Sequence, residues 1–249
     1  MHFLSIIWNP NETLFNIGFV QIKYYNLSWI IAFALGWYIM KKIFIHEKKS
    51  VEQLDSLFIH TVLGTMLGAR LGHVFFYDWP YYKKHLLEIL LPIRERLASH
   101  GAIIGVIIGI YVYTRKFPEF KLLWILDRMV VPFGMIAFVR FGNFFNSEIN
   151  GKVVDESFIF ATKFIQIPYR HPAQLYEGVA YIFIFILIYY LYWKTDKRNK
   201  LGYLFGLFLV LLWTIRFFVE FVKKSQGGFE ESLGLFSTGQ WLSIPFILI

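Results

Sequence analysis

Seven stretches of this sequence are apolar for so long that few folds remain open to it. They run at roughly 27–45, 57–77, 100–114, 121–142, 172–193, 201–222 and 237–249. The hydrocarbon core of a bilayer is about 30 Å thick and takes about 20 apolar residues in helix. Composition points the same way. Apolar residues make up 57% of the chain and Asp, Glu, Lys and Arg only 17%, against about 25% charged in an ordinary soluble domain. Too little polar surface is left to cover a soluble particle. The absence of cysteine excludes a disulfide scaffold. The expected fold is an all-α integral membrane protein of about seven transmembrane helices, one polytopic domain over residues 1–249.

The net charge of +8 lies largely in short loops: Lys41, Lys42, Lys48 and Lys49; Arg115, Lys116 and Lys121; Lys194, Lys197, Arg198 and Lys200. This is the positive-inside pattern, not a nucleic-acid footprint, and it predicts the N-terminus outside and those loops in the cytoplasm. Residues 1–25 are too polar for the core of a cleavable signal peptide, so the first helix is expected to stay as a span. The last run stops at Ile249 after about 13 residues, too few to cross, so its natural end is expected further on. Two outer segments are large enough to have shape. Residues 78–99 form an interfacial arm, amphipathic around His85–Leu97, and residues 144–170 a small extracytoplasmic cap. Gly64, Gly68 and Gly72 recur at every fourth position, as do Gly101, Gly105 and Gly109. These stripes predict that helices 2 and 3 pack backbone to backbone.

An ionisable side chain inside a span is costly unless paired or wet, and points to function by default. Arg70, His73, Asp127, Arg128, Arg140, Glu177, Arg216 and Glu220 are such residues, and His100 opens helix 3. Most fall in the outer halves of their helices, which predicts a cavity open toward the outer leaflet. Plainer readings exist for some. Arg216 and Glu220 are spaced to neutralise each other on one face. Asp127 and Arg128 read as structural, and His73 equally as an interior hydrogen-bonding residue. The seven histidines show no metal-ligand spacing, and neither a GxSxG turn nor a glycine-rich phosphate loop occurs, so no metal or cofactor is expected.

The densest polar cluster is Arg140-Phe141-Gly142-Asn143-Phe144-Phe145-Asn146-Ser147-Glu148-Ile149-Asn150-Gly151. An arginine fork, amides, a carboxylate and glycines suit a site that grips a phosphate headgroup. The stretch resembles the signature of the prolipoprotein diacylglyceryl transferases. Other segments match motifs of that family in order: Gly68-Ala69-Arg70-Leu71-Gly72, Ser99-His100-Gly101, Arg170-His171-Pro172-Ala173-Gln174-Leu175-Tyr176-Glu177, Arg216-Phe217-Phe218-Val219-Glu220-Phe221, and Ser237-Thr238-Gly239-Gln240 through Pro245. The departures are Val139 before the signature arginine, Tyr24-Tyr25-Asn26 where the family has an aromatic, Tyr and Gly, and His73 for a common Tyr.

The resemblance implies transfer of the sn-1,2-diacylglyceryl group of phosphatidylglycerol to the lipobox cysteine thiol of prolipoproteins. This forms a thioether and releases glycerol 1-phosphate, with no cofactor, in the bacterial inner membrane and with the active site toward the outer leaflet. It implies catalytic roles for His100, Arg140, Arg216, Glu220 and Tyr25. Phosphatidylglycerol contacts fall to Arg140, Asn143, Asn146, Glu148, Gly151 and Arg216, and support to Arg70, Gln174, Glu177 and His171. The residues fit that chemistry. A thiol titrates near 8.5, so a base is needed, and His100 has a suitable pKa. The leaving phosphate gains negative charge, and Arg140 and Arg216 are the candidate clamp. Two other readings suit the same residues: a transporter of an anionic lipid or phosphate, and another phosphatidylglycerol-consuming headgroup transferase.

Overall fold

The computed structural model describes residues 5–17, 20–89, 99–164, 168–224 and 236–248. It is mostly helical and divides into two compact units, Met40–Ile125 and the remainder of the chain.

The first unit holds the last turns of α1 (Tyr24–His46), then α2 (Val51–Tyr77), the short α3 (Trp79–Tyr82), α4 (Ser99–Lys116) and the start of α5 (Leu122–Met129). A capping box starts α2: Gln53 N donates to Ser50 Oγ at 3.1 Å, and Ser50 N to Gln53 Oε1 at 3.2 Å. The predicted glycine stripes meet. A Cβ on Gly64, Gly68, Gly101 or Gly105 would run into the backbone of the facing helix. Only glycine lets α2 and α4 come this close. Below that seam the unit closes on aromatics, with Phe44, Phe120 and Trp124 ring centroids 5.0–5.9 Å apart.

The predicted arm is described only as far as Ile89. Its described part is α3 and a single 3₁₀ turn over Leu86–Glu88, with Leu87 90% exposed. The rest of the amphipathic stretch lies outside the described residues.

The second unit contains two small sheets that correct the all-α expectation. β2 (Thr13–Ile17) and β3 (Val20–Lys23) form an antiparallel hairpin. β1 (Ile6–Trp8) pairs in parallel with β4 (Thr162–Phe164), which pairs antiparallel with β5 (Tyr169–Arg170). These strands have two to five residues, too short for an alternating pattern to register against long apolar runs. The 144–170 segment thus carries β4 and β5, and is tied back by isolated bridges Gly151↔Lys223 and Val153↔Arg170.

Helices α6 (Ala137–Phe145), α7 (Ala173–Lys194), α8 (Tyr203–Glu220) and α9 (Thr238–Leu248) complete this unit. Its core is Val139, Ile184, Ile188, Tyr192, Leu204 and Phe208. Asp127 is fully buried and caps α8, accepting from Gly202 N at 2.6 Å and Phe205 N at 2.9 Å. Arg128 donates to Arg198 O. The structural reading of this pair holds.

Among the described residues three helices are long and apolar enough to cross a membrane, α1, α7 and α8. A fourth span results if α5 and Pro132–Phe145, bent by 48°, count as one. Pro132 lacks an N–H and breaks the ladder there. At 27 and 18 residues α2 and α4 match a span in length, but glycines, histidines and Arg70 dilute them.

Candidate active site

The second unit gathers most of the expected residues around the end of α6. Gly142 faces Ser28 and the Tyr25 backbone on α1, and Gly178 on α7 faces the Phe141 ring. These contacts seat α6 and aim Arg140 and Asn143 from its last turns. Trp8 braces the same end, its Nε1 donating to Phe144 O at 3.0 Å.

Beyond α6 the chain turns tightly. Ser147 and Ile149 hold φ of 54° and 58°, a region that β-branched residues avoid. The turn persists because its surroundings fix it. Glu148 N donates to Asn143 O, and Gln174 donates to both Glu148 O and Asn150 Oδ1. Gly151 N donates to His171 O at 2.9 Å. A side chain at Gly151 would meet His171 and Val222 O, so this glycine lets three segments converge. His171 itself lies between the Phe158 ring and the Tyr176 hydroxyl. Partial burial, then the nearby Lys152 cation, push its pKa below the ordinary value.

The polar chain starts at Arg140. Its Nη1 donates to Asn143 Oδ1 at 3.4 Å, Asn143 Nδ2 donates to Glu148 Oε2 at 3.3 Å, and Asn146 Nδ2 to Glu148 Oε1 at 3.1 Å. Two amides thus orient an exposed carboxylate. On its other side Arg140 Nε lies 2.9 Å from Glu177 Oε2, an ion pair made off the N–H direction. Glu177 is 1% exposed, and its Oε1 accepts from Lys223 Nζ at 3.2 Å. Lys223 Nζ lies 4.0 Å from Glu220 Oε2, whose carboxylate rests against Gly239 at the start of α9. Gln240 ties that start to α8 by donating to Phe217 O.

Arg216 stacks over Trp213 at 5.5 Å, its Nε buried without a hydrogen-bond partner. Among the described residues it has no ion pair, and Glu220 pairs with Lys223 instead. Tyr181 stands within electrostatic range of both arginines, and Tyr25 within range of Arg140. Arg140 and Lys223 share the buried Glu177, Lys223 also lies near the half-buried Glu220, and Arg216 adjoins the group through Tyr181, so three cations stand with these two carboxylates. Counted without the exposed Glu148, which its two amides hold, this inner group has one positive charge to spare, beside an arginine with an unused donor. It can hold a monoanion.

Two expected residues lie in the other unit. Arg70 donates from Nε to Ile89 O and from Nη2 to Glu88 O, both at 2.8 Å, and lies over the Tyr82 ring. It fastens the arm. His100 is in the first turn of α4, and its side chain lies outside the described residues. Sequence reasoning passed over Lys223 and Tyr181. Their signals were spacing: Lys223 is three residues past Glu220, and Tyr181 four past Glu177.

The sequence profile of the prolipoprotein diacylglyceryl transferase family matches residues 12–249. The chain belongs to that family. Curated relatives named phosphatidylglycerol–prolipoprotein diacylglyceryl transferase include one from Bacteroides fragilis, 40% identical over 99% of this chain and 93% of the relative. Another, from Chloroherpeton thalassium, is 40% identical over 98% of this chain and 91% of the relative. The diacylglyceryl transferase match encloses every site residue described above, from Tyr25 to Gln240.

Proposed function

We propose that this chain transfers the sn-1,2-diacylglyceryl group of phosphatidylglycerol to the lipobox cysteine thiol of a prolipoprotein, the first step of lipoprotein maturation. The observation that carries the site assignment is the spare positive charge of the cluster, with Arg216 unpaired among the described residues. Phosphatidylglycerol is a phosphodiester with a single negative charge, which balances it.

In this reading the thiol gives its proton to His100, and the thiolate attacks the glyceryl carbon that bears the phosphate. The C–S bond forms as the C–O bond breaks. The electron pair leaves with the phosphate, and glycerol 1-phosphate departs. Charge grows on the phosphate as it leaves, so the benefit of Arg140 and Arg216 rises toward the transition state. Asn143, Asn146 and Glu148 offer donors and acceptors for the headgroup glycerol hydroxyls, and Tyr25 lies near the clamp. Glu220 acts through Lys223. Gly151, Gln174, Glu177 and His171 build the turn and the cluster, and Arg70 secures the arm. The reading includes seven crossings in the bacterial inner membrane, the N-terminus outside, and the cap and arm on the outer side with the active site.

The test is incubation of purified protein with phosphatidylglycerol and a lipobox peptide. Thioether-linked product with release of glycerol 1-phosphate is the expected result. Lipid movement without product, or release only with a sugar acceptor, overturns it.

A further inference from the structure

We infer that Lys223 is a positioning residue of the anion site: it shares the charge of Glu177 with Arg140 and draws Glu220 from Arg216, so that the arginines stay open to a phosphate. The inference rests on the phosphate-binding reading above.

Lys223 lies just beyond α8 and is only 7% exposed. Its backbone is fixed: it bridges Gly151, its N–H points to Val219 O and Glu220 O, and the preceding Val222 O accepts from Lys152 N at 2.7 Å. The ammonium sits between two carboxylates, hydrogen-bonded to Glu177 at 3.2 Å and 4.0 Å from Glu220.

Glu177 is the reason the placement matters. One oxygen is on Lys223 and the other on Arg140. The carboxylate therefore occupies the same guanidinium that a phosphate would take, and a substrate anion must compete with it. Lys223 weakens that competition by sharing the charge. Without Lys223, Glu177 has Arg140 alone, and a guanidinium takes a carboxylate through two parallel bonds. Glu220 lies one turn along α8 from Arg216, within side-chain reach. Each arginine would then be neutralised by its own neighbour. The balance of named charges would fall from three against two to two against two, and the spare positive charge would vanish. Lys223 thus governs phosphate affinity without touching the phosphate.

The experiment measures binding of short-chain phosphatidylglycerol, and of phosphatidylcholine with the same chains, to the full chain in detergent. Lys223→Met should weaken phosphatidylglycerol by about thirtyfold, as loss of one partner of a buried charge pair does, and leave phosphatidylcholine unchanged. Lys223→Arg should restore most of the loss. Adding Glu177→Gln to Lys223→Met should return wild-type affinity, because the competing carboxylate is gone and the balance is again one positive charge. A merely structural post predicts otherwise: both lipids weaken and Glu177→Gln rescues nothing. That result, or a Lys223→Met variant that binds like wild type, overturns the proposal. If Lys223→Met alone does not fold, the double variant carries the test, and affinity well below wild type overturns the proposal. Wild-type protein that prefers phosphatidylglycerol no more than phosphatidylcholine overturns the functional reading instead.

Discussion

Lysine at position 140 would keep the charge of Arg140 and lose its geometry. Arg140 presents Nη1 to Asn143 and Nε to Glu177 at once, which a single ammonium cannot reproduce. If the guanidinium also clamps the leaving phosphate, its worth lies in the transition state. Arg140→Lys should then lower kcat about a hundredfold and change KM less. Equal kcat with a raised KM would make Arg140 a ground-state anchor only. For His100 the discriminating measurement is the pH profile of the alanine variant. Residual activity that climbs toward the thiol pKa near 8.5 marks a lost base, whereas a uniform drop marks lost positioning. His171 should show itself in stability. Its folded pKa lies below the ordinary 6.5, so folding favours the neutral ring. That contribution is present above 6.5 and is lost as pH falls from there through the lower folded value. His171→Gln should flatten the fall in melting temperature over that window. An unchanged slope would mean another group causes it.

At the scale of elements, two glycines separate packing from propensity. Gly105 lies against the Gly64 and Gly68 backbones, whereas nothing lies within 4 Å of a Cβ at Gly206 on α8. Gly105→Ala should force α2 and α4 apart and lower the melting temperature by several degrees. Gly206→Ala should leave it level or raise it, since alanine favours a helix interior by about 0.5–1 kcal/mol. Equal responses would mean that the seam carries no energy. The seam was legible in sequence because a four-residue glycine period has one geometric meaning on a helix. The nearness of Arg140, Glu177 and Glu220 was legible too, because charge inside an apolar run needs a reason, and Asn143 and Glu148 stood out in the densest polar cluster. The partner of Glu220 was not. A spacing of four makes Arg216 and Glu220 neighbours, but Lys223 and Gly239 receive the carboxylate. That choice depends on how the chain folds back after α8, which helical periodicity does not encode. β1 was hidden for the same reason: its partner lies more than 150 residues away, and three residues carry no period.

For the whole molecule, the sidedness of the anion site decides whether an exported prolipoprotein can reach it. The chain has no cysteine, so any introduced thiol reports its position alone. Ser157 is exposed in the segment before α7, and Lys200 is exposed after it. The helix between them has 22 residues, about 33 Å at 1.5 Å per residue, which is one bilayer core. If α7 is a span, these two positions are on opposite sides. The loop with Lys197, Arg198 and Lys200 has the cations that mark the cytoplasm. In intact cells Ser157→Cys should react with a membrane-impermeant maleimide, and Lys200→Cys only after permeabilisation. The site shares its side with Ser157, because Gly151, two residues before Val153, pairs with Lys223 and places the cluster at that end of α7. Reversed labelling would put the arginines toward the cytoplasmic leaflet, where phosphatidylglycerol is within reach but a translocated thiol is not. Labelling of both in intact cells would mean that α7 does not cross. Then the charge cluster would no longer be in a span, and the pairing of Glu177, 1% exposed, would be that of an ordinary protein interior.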